Sequence, residues 1–145
     1  MLFDRIWVKA AETNQMAMEF AAAQSAGIRM IFHVTILDGE IGNGGFNQYF
    51  FNELDRFVDE QMSGLGLIGA AKHQDVLRLA AAIRGIEMQN TELQKLYDTH
   101  TMESFMATYQ ITTLGECDQT WYDLDGLLSA SIARYVRESV EEFEL

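Results

Sequence analysis

From Ile28 to Leu37 nearly every position is apolar, and a helix that is apolar all round belongs at the centre of a fold. The same period runs backwards through Met16, Phe20, Ala23, Gly27, Met30, Val34 and Leu37, behind a cap at Thr13 and Asn14. This predicts one long helix with Gly27 on its buried face, where the missing side chain lets a neighbouring helix approach. Ahead of it, Leu2, Phe3, Ile6, Trp7 and Ala10 form a short helical stripe. Behind it, Phe46, Tyr49, Phe50, Leu54, Phe57 and Val58 recur on one face of a second aromatic helix. The two are joined through Asp38 to Asn52, which carries four glycines in seven residues. Asn43 is expected to cap the second helix, and Gly44 and Gly45 to admit another backbone close to its first turn.

Ser63, Gly64, Gly66 and Gly69 predict a bend, followed by an amphipathic helix through Val76, Leu77, Ala80 and Ile83 that ends at Gly85. Thr91 with Gln94 reads as a capping box before Leu93, Leu96 and Tyr97, and Phe105, Met106 and Tyr109 mark another short helix. Ile111, Thr112 and Thr113 are β-branched, but one short run has no strand to pair with. Thr113 with Glu116 repeats the capping pattern. Leu124, Leu127, Leu128, Ile132, Tyr135, Val136 and Val140 define a last helix, and the charged tail from Glu141 to Leu145 is expected to fray. There is no proline, linker, repeat or low-complexity run. The expectation is an all-α fold, a single compact helical domain over residues 1–145 with about six to eight helices.

Charge alters this picture. The chain carries a formal charge of −12, unevenly placed: residues 1–86 hold 10 acids and 7 bases, residues 87–145 hold 12 acids and 3 bases. Such a surface repels nucleic acid and attracts basic proteins, so no direct nucleic-acid partner is expected. A single cysteine, Cys117, excludes an internal disulfide and suits a reducing compartment. No segment reads as a signal peptide or a membrane span. A cytoplasmic protein without a membrane partner is expected.

Chemistry is hard to find. His33, Asp38 and Glu40 are the nearest approach to a metal cluster, but His33 sits in the apolar central helix and reads as a satisfied core histidine. Asp123-Leu124-Asp125-Gly126 fails as a calcium loop because its twelfth position is Arg134. The glycine-rich turn has neither P-loop nor GxGxxG spacing, and Asp38 and Glu40 oppose a phosphate. An internal role is favoured there, with the Glu40 carboxylate accepting backbone N–H bonds and Gln48 and Asn52 tying down neighbouring backbone. Cys117 has no histidine partner nearby in sequence. No metal, no cofactor and no catalytic residue is assigned.

Glu40, Asn43-Gly44-Gly45-Phe46, Gln48-Tyr49-Phe50 and Asn52 resemble the signature of a bacterial family of unknown function that includes an acidic DNA-mimic protein. Leu65 to Lys72 and Tyr135 to Glu138, running on to Phe143, are similar to two further blocks of that family. The resemblance implies a non-catalytic acidic protein that occupies the DNA-binding surface of a basic DNA-binding protein, in the mimic's case a transcription regulator, and that forms a homodimer. Mimicry needs exposed acids about 7 Å apart, twice the roughly 3.4 Å rise per phosphate along one strand. Acids at i and i+3 or i+4 on a helix lie about 5 to 6 Å apart. Glu138, Glu141 and Glu142 meet this spacing, and so do Glu116, Asp118, Asp123 and Asp125 if the intervening turn brings them to one face. Two other readings stand beside it: an immunity-type inhibitor of a basic nuclease toxin, and an enzyme or small-ligand binder with a pocket at Gly44 and Gly45 on which Glu40, Asn43, Gln48 and Tyr49 converge.

Overall fold

The structure, a computed structural model, describes Met16, Glu19 and residues 24–143 apart from Asp125. The predicted stripe from Leu2 to Ala10 and the cap at Thr13 and Asn14 lie outside the described residues. From Ala26 onward seven α-helices follow one another, and no strand occurs among the described residues: α1 (Ala26–Phe51), α2 (Val58–Leu67), α3 (Ala71–Glu87), α4 (Thr91–Thr99), α5 (Met102–Thr108), α6 (Gly115–Asp123) and α7 (Leu127–Glu138). Short 3₁₀ turns lie at Leu54–Phe57 and Val140–Phe143. The fold is the expected all-α one.

The central helix starts later than its periodicity suggests. Met16 and Glu19 are helical, but Gln24 and Ser25 are not. The Ser25 hydroxyl accepts the Ile28 N–H at 3.3 Å and caps a new helix at Ala26. Met16, placed by its spacing on the buried stripe, is 69% exposed. From Ala26 onward Gly27, Val34, Leu37, Phe46, Tyr49 and Phe50 are buried as predicted and Ile41 joins them, whereas Met30 is only half-buried. Each large apolar side chain so buried contributes about 1.5–3 kcal/mol, so this helix carries much of the core.

Helices α2, α5, α6 and both 3₁₀ turns pack against α1, and α3 packs against α2 and α6. The close approach comes at Gly64 of α2, where a Cβ would stand 2.8 Å from Val34 Cγ2 and 3.0 Å from the Met30 carbonyl oxygen. Ser63, Gly64 and Gly66 are therefore inside a helix rather than at a bend; only Gly69 turns the chain, with φ +75°. In α2 the cost of glycine in a helix is offset by packing against α1.

Other ends also shifted. Helix α3 runs to Glu87, past Gly85. Asn90, not Thr91, caps α4, its side chain accepting the N–H groups of Glu92 and Leu93. The capping box of this chain is Thr101 with Ser104, at the head of α5. Thr113 does not cap α6, because its N–H and hydroxyl both donate to the Glu87 carboxylate. Leu124 closes α6, and α7 opens at Leu127. The tail forms a 3₁₀ turn against α1 up to Phe143 rather than fraying from Glu141.

Candidate functional site

Within α1, Gly44 (φ −147°, ψ 18°) and Gly45 (φ 72°, ψ −177°) leave helical geometry, so the aromatic half begins afresh at Phe46. A restarted helix needs a cap. It comes from 72 residues away, where Asp118 of α6 accepts the Phe46 N–H on Oδ1 at 2.7 Å. A carboxylate there also faces the positive end of the helix dipole. Asn43 does not cap; its Nδ2 donates to Gln48 Oε1 at 3.1 Å. What comes close to Gly45 is the Asp118 side chain rather than another backbone: a Cβ at Gly45 would lie 2.5 Å from Asp118 Oδ2.

A break also frees carbonyl groups, and α5 and α6 catch them. Tyr122 of α6 donates its hydroxyl to the Ile41 carbonyl at 2.8 Å, and Tyr109, just past α5, donates to the Gly44 carbonyl at 2.6 Å. Trp121 Nε1 donates to Asp38 Oδ1 at 2.8 Å. The Glu40 carboxylate accepts side-chain amides, from Gln48 at 3.0 Å and Asn52 at 2.8 Å, rather than the backbone N–H groups expected. Gln48 and Asn52 accordingly clamp across the break instead of holding backbone. Tyr49 is buried and donates to Gln61 Oε1, whose amide reaches the Leu54 carbonyl. The signature residues thus hold the break in shape, and of them only Phe50 lines any of three cavities among the described residues, of 620, 420 and 360 Å³. A pocket on which Glu40, Asn43, Gln48 and Tyr49 converge would need those groups free, and they are spent on one another and on the core.

Burial pushes the Asp118 carboxyl above its ordinary value of 3.8, against the downward pull of the Phe46 N–H. The folded state then holds a proton that the unfolded chain has lost, in the window from 3.8 up to the raised folded value. The contribution of Asp118 to stability therefore falls as pH rises through that window. Asp118→Asn keeps an acceptor oxygen and removes the charge. Its stability relative to the native protein is expected to improve as pH climbs from below 3.8 to neutrality. Asp118→Ala loses about 1 kcal/mol at acid pH through the lost cap, and this loss shrinks as pH rises through the same window. Urea unfolding at a series of pH values checks both.

The candidate acids separate. Glu116 and Asp123 are exposed on α6 and, seven residues apart, share a face two turns along it. Gln119 between them donates to Asp123 Oδ1 at 2.8 Å. Asp118 is turned inward to the break and leaves the surface group to which its spacing assigned it. Glu138 and Glu141 are exposed at the end of α7 and in the last 3₁₀ turn. Glu142 lies in that same turn, and Asp125 is outside the described residues. The two clusters therefore sit on separate elements.

The other candidates behave as core. His33 is 3% exposed and packs against Phe32 and Phe57, and burial lowers its basicity. It is not a satisfied histidine among the described residues, because Nδ1 is buried and finds no hydrogen-bond partner there. Cys117 is buried, and burial beside Asp118 pushes its thiol up, away from the reactive thiolate. Among the described residues no group of three or more His, Cys, Asp or Glu is placed to hold a metal ion, and no helix is long and apolar enough to cross a membrane.

Sequence reasoning missed a buried polar cluster. Arg84, 4% exposed, donates Nη2 to Asn47 Oδ1 and sets Nε 3.4 Å from Glu87 Oε2, while Asn47 donates to Thr108. Its guanidinium lies over the Phe50 and Tyr97 rings. The only sequence signal was Arg84 and Glu87 at i and i+3 with Arg84 in register with the apolar Leu77 and Ala80.

Fold and site together define an acidic all-α domain built on a central helix that is broken at a glycine pair and re-capped by a distant carboxylate. A family model described as DMP19-like protein matches residues 22–139, and the chain belongs to that family. The match spans the glycine-rich signature and the blocks at Leu65 to Lys72 and Tyr135 to Glu138. Neither a curated protein nor a solved structure matches the chain.

Proposed function

We propose that the protein is a non-catalytic DNA mimic that occupies the DNA-binding surface of a basic protein, a transcription regulator, with exposed carboxylates standing in for phosphates. The observation that carries this reading is the exposed pair Glu116 and Asp123 on a helix locked to the core. Seven residues at about 1.5 Å each set them roughly 10.5 Å apart along the axis, close to three phosphate steps of about 3.4 Å. The scaffold under them is rigid: neighbouring Cys117 and Trp121 are buried, and Asp118, Trp121 and Tyr122 are bonded to α1. Membership of the DMP19-like family supports the same reading. Glu138 and Glu141 form a second exposed acidic group, and Glu142 and Asp125 belong to the proposal by their place in the sequence alone. The homodimer carried by the resemblance and the cytoplasmic location read from the sequence belong to this proposal.

Capture from host lysate on the tagged protein tests it, using the native chain, Glu116→Lys/Asp123→Lys and Glu138→Lys/Glu141→Lys. The native chain is expected to retain a basic DNA-binding protein at low salt and release it at high salt. At least one charge-reversed pair recovers about tenfold less, since like charges across an interface cost several kcal/mol. The variants should unfold within a few degrees of the native protein, because these carboxylates are exposed. Capture of a nuclease that is inhibited on binding would replace the regulator with the immunity reading. A partner indifferent to salt and to all four substitutions would leave the acidity to solubility and defeat both.

A further inference from the structure

The largest of the three cavities has the opposite charge to the rest of the molecule. It is a groove of 620 Å³ between the head of α3 and the face of α7, and Lys72, Arg134 and Arg137 line it. These are three of only ten lysines and arginines in a chain of net charge −12, and no acidic side chain among the described residues lines the groove. Three cations drawn together repel one another, a cost that a bound anion would remove.

The groove is built, not merely charged. Arg134 donates Nη2 to the Ile68 carbonyl at 2.9 Å, which fixes the guanidinium, and its other N–H groups make no hydrogen bond among the described residues. A side chain at position 69 would interfere, because a Cβ on Gly69 would lie 2.9 Å from Arg134 Nη2. His73 also lines the groove. It is 3% exposed, its ring meets Trp121 edge to face, it makes no hydrogen bond among the described residues, and it lines the 360 Å³ cavity as well. Ser131 adds a hydroxyl, and Leu127, 52% exposed, adds an apolar wall.

We propose that this groove binds a phosphate-bearing small molecule, with the phosphate between Lys72, Arg134 and Arg137 and the organic part against Leu127. A dianion matches three cations better than a single carboxylate does, and the guanidinium fork suits the phosphate oxygens. The volume lies within the range of small-molecule sites, about 300–1,000 Å³. This site is distinct from the acidic elements of α6 and can be tested without any protein partner.

Isothermal titration of the native chain with inorganic phosphate, AMP and acetate, at ionic strength matched with sodium chloride, reads the proposal. Saturable one-to-one binding of AMP is expected, tighter than that of inorganic phosphate, with none for acetate. Lys72→Gln and Arg137→Gln are surface changes that should leave the unfolding temperature in place, and each should weaken AMP about tenfold, the size of one lost charge-assisted hydrogen bond. Absence of saturable binding for both phosphate compounds would overturn the proposal. So would AMP affinity unchanged in both variants, or acetate binding as tightly as AMP.

Discussion

Gly45→Ala is expected to lower the unfolding midpoint by about 10 °C, from a loss of roughly 3 kcal/mol. Two independent costs combine. With φ 72° and ψ −177°, Gly45 occupies a region that is essentially closed to other residues, and forcing a side chain there costs about 1–3 kcal/mol. The added Cβ also stands 2.5 Å from Asp118 Oδ2, in front of the carboxylate that caps Phe46. Moving Asp118 aside forfeits that cap, about 1 kcal/mol more. Gly42→Ala is the control: it lies in helical geometry just ahead of the break, and a Cβ there meets nothing within 4 Å. Thermal unfolding followed by circular dichroism should separate the two variants clearly. Similar losses in both would mean that the break is not held by Gly45 and Asp118.

Arg84→Met is expected to cost about 3 kcal/mol. Removing one member of a buried ion pair strands the other, a penalty of about 3–5 kcal/mol. Here the stranded group is Glu87, whose side chain is 8% exposed and which also accepts Thr112 and Thr113 at the entry to α6. Asn47 loses a donor as well. The lower end of the range applies because Arg84 Nη1 is itself buried with no hydrogen-bond partner among the described residues, so its removal relieves an unsatisfied donor. Methionine keeps the contact with Phe50 and Tyr97. Adding Glu87→Gln should recover part of the loss, since the stranded charge disappears. The coupling in this double-mutant cycle should reach at least about 1 kcal/mol by urea unfolding. An additive pair would show that Arg84 and Glu87 do not act as a unit.

The apolar stripe from Val34 to Phe50 was legible because a core helix repeats a local pattern, and the glycine pair was legible as a joint because two adjacent glycines stand directly ahead of the aromatic run. The agent that caps the break was not. Asp118 lies 72 residues away, and a run of acids from Glu116 to Asp125 reads locally as one solvated patch. Helical geometry could have split that patch, since at about 100° per residue Asp118 turns some 200° from Glu116 while Asp123 returns to within about 20° of it. Gly64 was read as a bend for a related reason: a glycine's use in close packing depends on Val34 and Met30 of another helix, which no local window contains. Arg84 was passed over because one charged residue in an apolar register looks like an exposed interruption until Asn47 and Glu87 are brought around it. The cationic groove was illegible likewise, since Lys72 and Arg134 are more than sixty residues apart.

The most direct measurement is a competition on the captured partner. A fluorescently labelled duplex bound to that protein is titrated with the native chain, and anisotropy is followed at low and at physiological salt. Displacement of the duplex to completion at a fixed stoichiometry, with weaker competition at the higher salt and weaker still for Glu116→Lys/Asp123→Lys, is the result that a DNA mimic requires. A ternary complex, in which the chain binds while the duplex stays on, would contradict it.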